Sequence, residues 1–372
     1  MTIHFLAPDL LYQLALTLVP NIGPVQARIL TDYFGDAASV FKAKKSVLTK
    51  LEGIGEIRAS CIKAFTDFQQ AEEEIIFAQK YNITPLFLAH EKYPKRLLNC
   101  YDPPTVLYYK GQADLNASRI VSIIGTRNKT EYGRLVTEQL VKDLSVLNVL
   151  VVSGLALGID TIAHKAALKN NLPTVGVLAH GLDKLYPAEN TSLARDIIKQ
   201  GGGLLTEFRR KTKPDKHNFP VRNRIVAGIS DAIIVIETDI KGGSMITAEL
   251  GNSYNKDVFA YPGKTTDTKS TGCNQLIKSN KAMLLTDAQQ LAEIMGWSIP
   301  AKKITRQQQE LFIGLGPGEK VIIDMLREKE TVHIDELNIR SSLSSSAVAA
   351  AILNLELQGI IQSRPGKMYK LL

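Results

Sequence analysis

The stretch Ile120–Asp160, IVSIIGTRNKTEYGRLVTEQLVKDLSVLNVLVVSGLALGID, carries the unit from which the fold is read. Ile120–Ile124 and Val149–Val152 are short, almost uninterrupted apolar runs, each leading into a turn of glycine or small residues, with a helical stretch between them. Strands that stay apolar at every position are buried on both faces, as in a parallel sheet covered by helices above and below. The pattern continues through Thr174–Leu178, Leu204–Thr206, Ala232–Ile236 and Val258–Tyr261. An α/β domain with an extended Rossmann-like parallel sheet is therefore expected. Ligands of such sheets bind outside the carboxyl ends of the strands, near the switch in strand order. Three loops are expected to meet there: Gly125-Thr126-Arg127, Ser153-Gly154 through Asp160, and Gly242-Gly243-Ser244.

These loops suit anions, because glycines let the backbone approach closely and helix N-termini present free N–H groups. Arg127 either forks onto a phosphate or ties down its own loop in a salt bridge. There is no GxGxxG at the first turn and no GxxxxGK[ST], which disfavours a dinucleotide site and an ATP-hydrolysing P-loop. No cofactor is expected. The three cysteines and six histidines form no CxxC or HExxH, which argues against a disulfide framework or a metal site and fits a reducing cytoplasm. No apolar run approaches membrane-spanning length, and the stretch LLYQLALTLVP lacks a basic leader, so neither a membrane span nor a signal peptide is expected.

The chain has 372 residues and a net charge of +8. Residues 1–80 carry 8 basic and 9 acidic side chains, residues 81–300 carry 27 and 20, and residues 301–372 carry 10 and 8. The excess belongs to the α/β part. Within it, Arg209, Arg210, Lys211, Lys213, Lys216, Arg222 and Arg224 face a single Asp215. Such a run is either a solvated loop or the footprint of a phosphate-backbone binder. The segment Lys216-His217-Asn218-Phe219-Pro220-Val221-Arg222-Asn223-Arg224 sets an aromatic among these cations. Phe219 is either a core anchor or a platform for a nucleobase. Arg222 and Arg224 cannot share a helix face, so one of them can be structural while the other reaches a ligand.

Four segments are expected: helical residues 1–80, the α/β residues 81–300, a linker at 301–316, and a small domain at 317–372. The first contains a repeat, Leu18–Ala27 against Lys50–Ala59, each with Ile-Gly and then Ala four residues after the glycine. It resembles a tandem helix-hairpin-helix (SAM-like) domain; the other reading is a helical bundle with tight glycine turns. Residues 76–118 read as a connector with some extended structure, including Leu107–Gly111. The last domain has the element order of a winged helix. Its helix Ser344–Gln358 carries no Lys or Arg, so protein interaction or an accessory role is expected rather than duplex readout, although Arg364, Lys367 and Lys370 of the wing could touch a backbone.

The central part closely resembles the DNA-processing protein A family (DprA, also called Smf) of natural transformation. The matching stretches are Ile123–Arg127, Ser153–Ala156 with Gly158-Ile159-Asp160 and Ala163-His164, Gly181-Leu182-Asp183 with Tyr186-Pro187, and Phe219–Arg224. They continue with Gly243-Ser244, Thr247-Ala248, Pro262-Gly263 and Gly272–Ile277; the chain departs at Asn280-Lys281, where the family usually has Gly-Ala. The resemblance implies a homodimeric single-stranded DNA binder that helps load the RecA recombinase, with Arg127, Lys216, Phe219, Arg222 and Arg224 at the DNA. The candidate site is Gly125, Thr126, Arg127, Ser153, Gly154, Lys216, Phe219, Arg222, Asn223, Arg224, Gly243 and Ser244. The expectation is a cytoplasmic binder and not an enzyme. The alternative is a nucleotide-processing enzyme of the phosphoribohydrolase type, suggested by Gly242–Glu249, in which Glu249 would be catalytic. For Asp160 and His164, a helix cap and a packed side chain are expected.

Overall fold

The computed structural model describes residues 9–298, 316–329, 331–364 and 366–371. It divides at residue 300 into two compact units. The expected linker therefore lies almost wholly outside the described residues.

Nine strands form the sheet of the first unit: β1 Thr84–Phe87, β2 Val106–Gly111, β3 Ile120–Ile124, β4 Leu150–Ser153, β5 Thr174–Val177, β6 Gly203–Thr206, β7 Ala232–Val235, β8 Asp257–Ala260 and β9 Met283–Leu284. Their order is β1-β2-β6-β5-β4-β3-β7-β8-β9, parallel from β6 to β9. From β3 the chain goes first to β4 on one side and later to β7 on the other, so the switch point lies at the end of β3. The apolar runs are explained by their two faces. Ile120, Ile124, Leu150, Val152, Ile233 and Val235 point into one core; Val121, Ile123, Val151, Ala232 and Ile234 point into the other.

Residues 76–118 are more than a connector. β1 and β2 extend the sheet antiparallel beyond β6, with Pro85 in the outermost strand, where its missing N–H interrupts no ladder. The helices before them are α1 Asp9–Leu16, α2 Pro24–Phe34, α3 Ala37–Lys42, α4 Lys45–Leu48, α5 Gly55–Ala64 and α6 Gln69–Lys80. They cover this end of the sheet: Leu14, Leu30, Leu48 and Ile62 belong to the same apolar core as Leu107, Ile120 and Leu205.

The helices that matter to the crevice follow: α7 Lys95–Leu98, α8 Glu131–Leu144, α9 Ile159–Lys169, α10 Thr191–Lys199, α11 Asn218–Ile229 and α12 Gly243–Ser253. Helix α8 is capped by Thr130, whose hydroxyl accepts the Gly133 N–H at 3.1 Å, while the Thr130 amide donates to the Glu237 carboxylate at 3.0 Å. That pins the loop after β3 to the end of β7.

The second unit has α13 Pro317–Glu328, α14 Ile334–Arg340 and α15 Ser345–Leu357, with a sheet of three short strands, Val332–His333, Ile361–Arg364 and Met368–Leu371. This is a winged helix. Ser344 caps α15, accepting the Ala347 N–H at 3.3 Å. No helix among the described residues is long and apolar enough to cross a membrane.

Candidate nucleic-acid interface

A crevice of about 370 Å³ opens at the carboxyl ends of β3, β4 and β7. Nine of the predicted residues line it: Gly125, Thr126, Arg127, Gly154, Phe219, Arg222, Asn223, Gly243 and Ser244. The loops that meet there are locked together by close backbone contact. Gly158 adopts a φ of +81° and sits so tightly against Thr126 and Arg127 that a Cβ would lie 2.3 Å from the Thr126 carbonyl oxygen. A side chain at this position would separate the two loops.

Arg127 is exposed at the mouth, with its guanidinium carbon 5.0 Å from the centre of the half-buried Phe219 ring. Arg222 approaches the same ring at 6.0 Å. Cations this close to an aromatic face are attracted by its quadrupole. Phe219 thus has two guanidinium groups near its ring at the crevice wall, a half-buried position between the two roles the sequence left open.

Arg222 is otherwise structural. It is 5% exposed and donates to the carbonyls of Gly154 and Val177 and, at 3.1 Å, to the Asn223 side chain. Burial pushes its guanidinium down to about 10, offset by Asp160 nearby. Asp160 is itself buried and accepts the N–H groups of Gly154 at 3.1 Å and Ala156 at 3.3 Å. Burial raises its carboxyl above the usual range, against the pull of Arg222. The expectation that these loop amides face a phosphate is therefore corrected: those of Gly154 and Ala156 turn inward to Asp160, and that of Thr126 bonds the Glu237 carbonyl at 2.7 Å. The first-turn amides of α12, at Gly243 and Ser244, have no acceptor within their own helix and remain the ones suited to an anion.

Three predicted residues sit outside the crevice. Ser153 is fully buried and donates its hydroxyl to the Ile123 carbonyl at 2.6 Å. Lys216 is exposed in the turn before α11. Arg224 is on the opposite side of α11, bonded to the Asp102 carbonyl and ion-paired with Glu207, whose carboxyl burial pushes up to about 7. So neither Arg222 nor Arg224 is a free cation; the helix turns one into the loop floor and the other into a buried pair. The rest of the basic run divides similarly. Arg209 bonds Gln70 at 2.9 Å, and Arg210 pairs with Glu73 and Glu74 of α6. Lys211, Lys213 and Lys216 are exposed, with no salt bridge among the described residues. Sequence reasoning missed Asn128 and Lys269. Asn128 could have been taken with its neighbour Arg127. Lys269 has no local signal, since it reaches the crevice from the loop after β8, held by Asp239 at 3.7 Å.

The turns of the N-terminal helices are occupied. The Gly23 amide donates to the Gln26 side chain at 3.2 Å, Pro24 has no N–H, and Arg58 bonds the carbonyls of Asn21 at 3.0 Å and Gly53 at 3.1 Å. Glu56 puts a carboxylate in the first turn of α5, where a phosphate would sit. Glu249 is exposed, pairs with Lys281 at 3.3 Å and does not line the crevice.

His164 is fully buried, with Nδ1 2.7 Å from the Thr174 hydroxyl and no partner for Nε2 among the described residues. Burial pushes it from 6.5 down to about 3. The unfolded chain takes up a proton below 6.5 and the folded chain does not, so this contribution is complete above pH 6.5 and is lost as the pH falls towards 3. Urea unfolding at pH 7 and pH 5 should show wild type losing about 2 kcal/mol more than His164→Gln between the two.

The family model for DNA recombination-mediator protein A matches residues 84–296, and one for the DprA winged helix domain matches residues 313–367. The chain is 32% identical to Protein Smf of Synechocystis over 400 residues, covering 96% of this chain and 98% of that one. It is 40% identical to the DNA processing protein DprA of Bacillus subtilis over 201 residues, 54% of this chain and 67% of the other. The solved structure of DNA processing protein A from Streptococcus pneumoniae superposes with a TM-score of 0.65 at 31% identity, covering 77% of this chain and 98% of that chain. A Helicobacter pylori structure of DNA processing protein A, concerned with its single-stranded DNA binding mode, superposes at 0.52 with 33% identity, covering 58% and 96%.

Proposed function

The chain belongs to the DNA recombination-mediator protein A (DprA/Smf) family, and from that premise we propose that its crevice binds single-stranded DNA with little sequence preference during DNA processing in transformation. The observation that carries this reading is exposed Arg127 over the ring of Phe219 at the mouth of a strand-end crevice. A cation for the backbone beside an aromatic face for a base is what single-strand binding requires, and neither element reads a base edge. The α12 N-terminus, which also lines the crevice, supplies amides for a second phosphate.

The protein acts as a binder, not an enzyme. Supporting this, Glu249 is paired on the surface, His164 is sealed in the core and Asp160 is committed to its loop. It works in the cytoplasm as a homodimer, whose two crevices on one strand would raise avidity through effective concentration. It hands the strand to the RecA recombinase. The winged helix serves protein contacts: α15 has no cation, while Leu353 and Leu357 are largely exposed on it.

Fluorescence anisotropy with oligo-dT at several salt concentrations tests the central claim. The logarithm of affinity should fall linearly with that of salt, with a slope of about −0.7 per phosphate neutralised. Salt-independent or undetectable binding would refute it. Incubation with nucleoside monophosphates should release no free base; release would favour the phosphoribohydrolase alternative. Size measurement of the free protein and RecA-filament formation on DNA it has coated test the two partners.

A further inference from the structure

We propose that Tyr186 is a second stacking residue of the DNA crevice, carrying the strand past Phe219; this rests on the single-strand reading above. Tyr186 stands on the turn after β5 and is 47% exposed. Its ring centre is 6.2 Å from that of Phe219, with the planes tilted by 49°. Phe219 is shared by two hollows. One is the polar crevice that Ser244 lines; the other is a depression of about 40 Å³ lined by Leu157, Leu178, Pro187 and Tyr186, and Arg127 lines both.

The turn is built to hold the ring outward. His180 is 1% exposed; its Nδ1 lies 2.9 Å from the Gly181 carbonyl and donates to it, which leaves Nε2 to accept the Tyr186 N–H at 3.2 Å. The backbone of Tyr186 is thereby fixed to the core, while no hydrogen bond holds its hydroxyl among the described residues. An aromatic ring kept half in solvent on a rigid support, beside another ring and an arginine, is a platform.

The geometry also sets what kind of strand fits. Ring centres 6.2 Å apart are nearly two rises of a stacked strand, at about 3.4 Å per nucleotide. Two tilted platforms at that spacing accept neighbouring bases only after these unstack. Flexible pyrimidine strands therefore bind better than stacked purine strands, through backbone flexibility and not through base-edge readout.

The test uses full-length protein, oligo-dT, oligo-dA and an abasic oligonucleotide of the same length. Tyr186→Ala should weaken oligo-dT binding about 5- to 150-fold, the range corresponding to one stacked base. Tyr186→Phe should bind as wild type does. On the abasic strand all three should bind equally, and the preference for dT over dA should shrink in Tyr186→Ala. If Tyr186→Ala does not fold, Tyr186→Leu takes its place with the same expectations. Undiminished oligo-dT binding by the folded variant, or an equal loss on the abasic strand, overturns the proposal while leaving the single-strand reading intact. Failure of wild type to bind oligo-dT overturns both.

Discussion

Replacing Arg222 with leucine should lower stability by about 3–5 kcal/mol, the cost of leaving the buried Gly154 and Val177 carbonyls without their donor, at about 1–3 kcal/mol each, together with the loss of the charge that offsets the burial of Asp160. The side chain is 5% exposed, its donors fill the carbonyls of Gly154 and Val177, and Asp160 would be left buried opposite an apolar group. Since a domain has only about 5–15 kcal/mol in total, the variant should be conspicuously fragile in urea. The double variant Asp160→Asn/Arg222→Leu should recover part of the loss, a coupling that a double-mutant cycle measures. A single-variant change under about 1 kcal/mol would contradict the buried placement. The consequence for function is practical. Lost DNA binding in an Arg222 variant would report a collapsed loop floor, not a missing phosphate contact.

Arg127→Ala should behave in the opposite way. The side chain is exposed and its described contact is the face of Phe219, so stability should stay within about 0.5 kcal/mol of wild type. Binding of oligo-dT should weaken at least about tenfold, since both a phosphate partner and a cover for the stacking ring are lost. The salt slope should become shallower by about 0.7, the signature of one fewer neutralised phosphate on a single strand. Lys216→Ala, outside the crevice, should cost less. An unchanged slope in Arg127→Ala would mean that this arginine meets no phosphate.

Much of the fold was legible because the strands are buried on both faces: Ile120–Ile124 cannot be read as anything that leaves a side wet. The switch-point loops followed from the order of strands and glycines. What resisted reading was the basic run at 209–224, whose partners are remote in the chain. Nothing near Arg210 announces Glu73 and Glu74, and nothing near Arg224 announces Glu207 and the Asp102 carbonyl. A cluster of cations is visible locally; its neutralisation is a tertiary fact. The same holds for the amides of Gly154 and Ala156, which looked free until Asp160 was placed beneath them.

The attachment of Arg209 and Arg210 to α6 bears on where the chain can be cut. The loop that leads into Phe219 is splinted by α6, more than a hundred residues earlier, and α6 shares an apolar core with Leu107 and Leu205. A truncation near residue 80 should therefore give a less stable binder. It would strip apolar surface bare and release Arg209 and Arg210 from α6, so a fragment that keeps α6 should hold the crevice better than one that starts at β1.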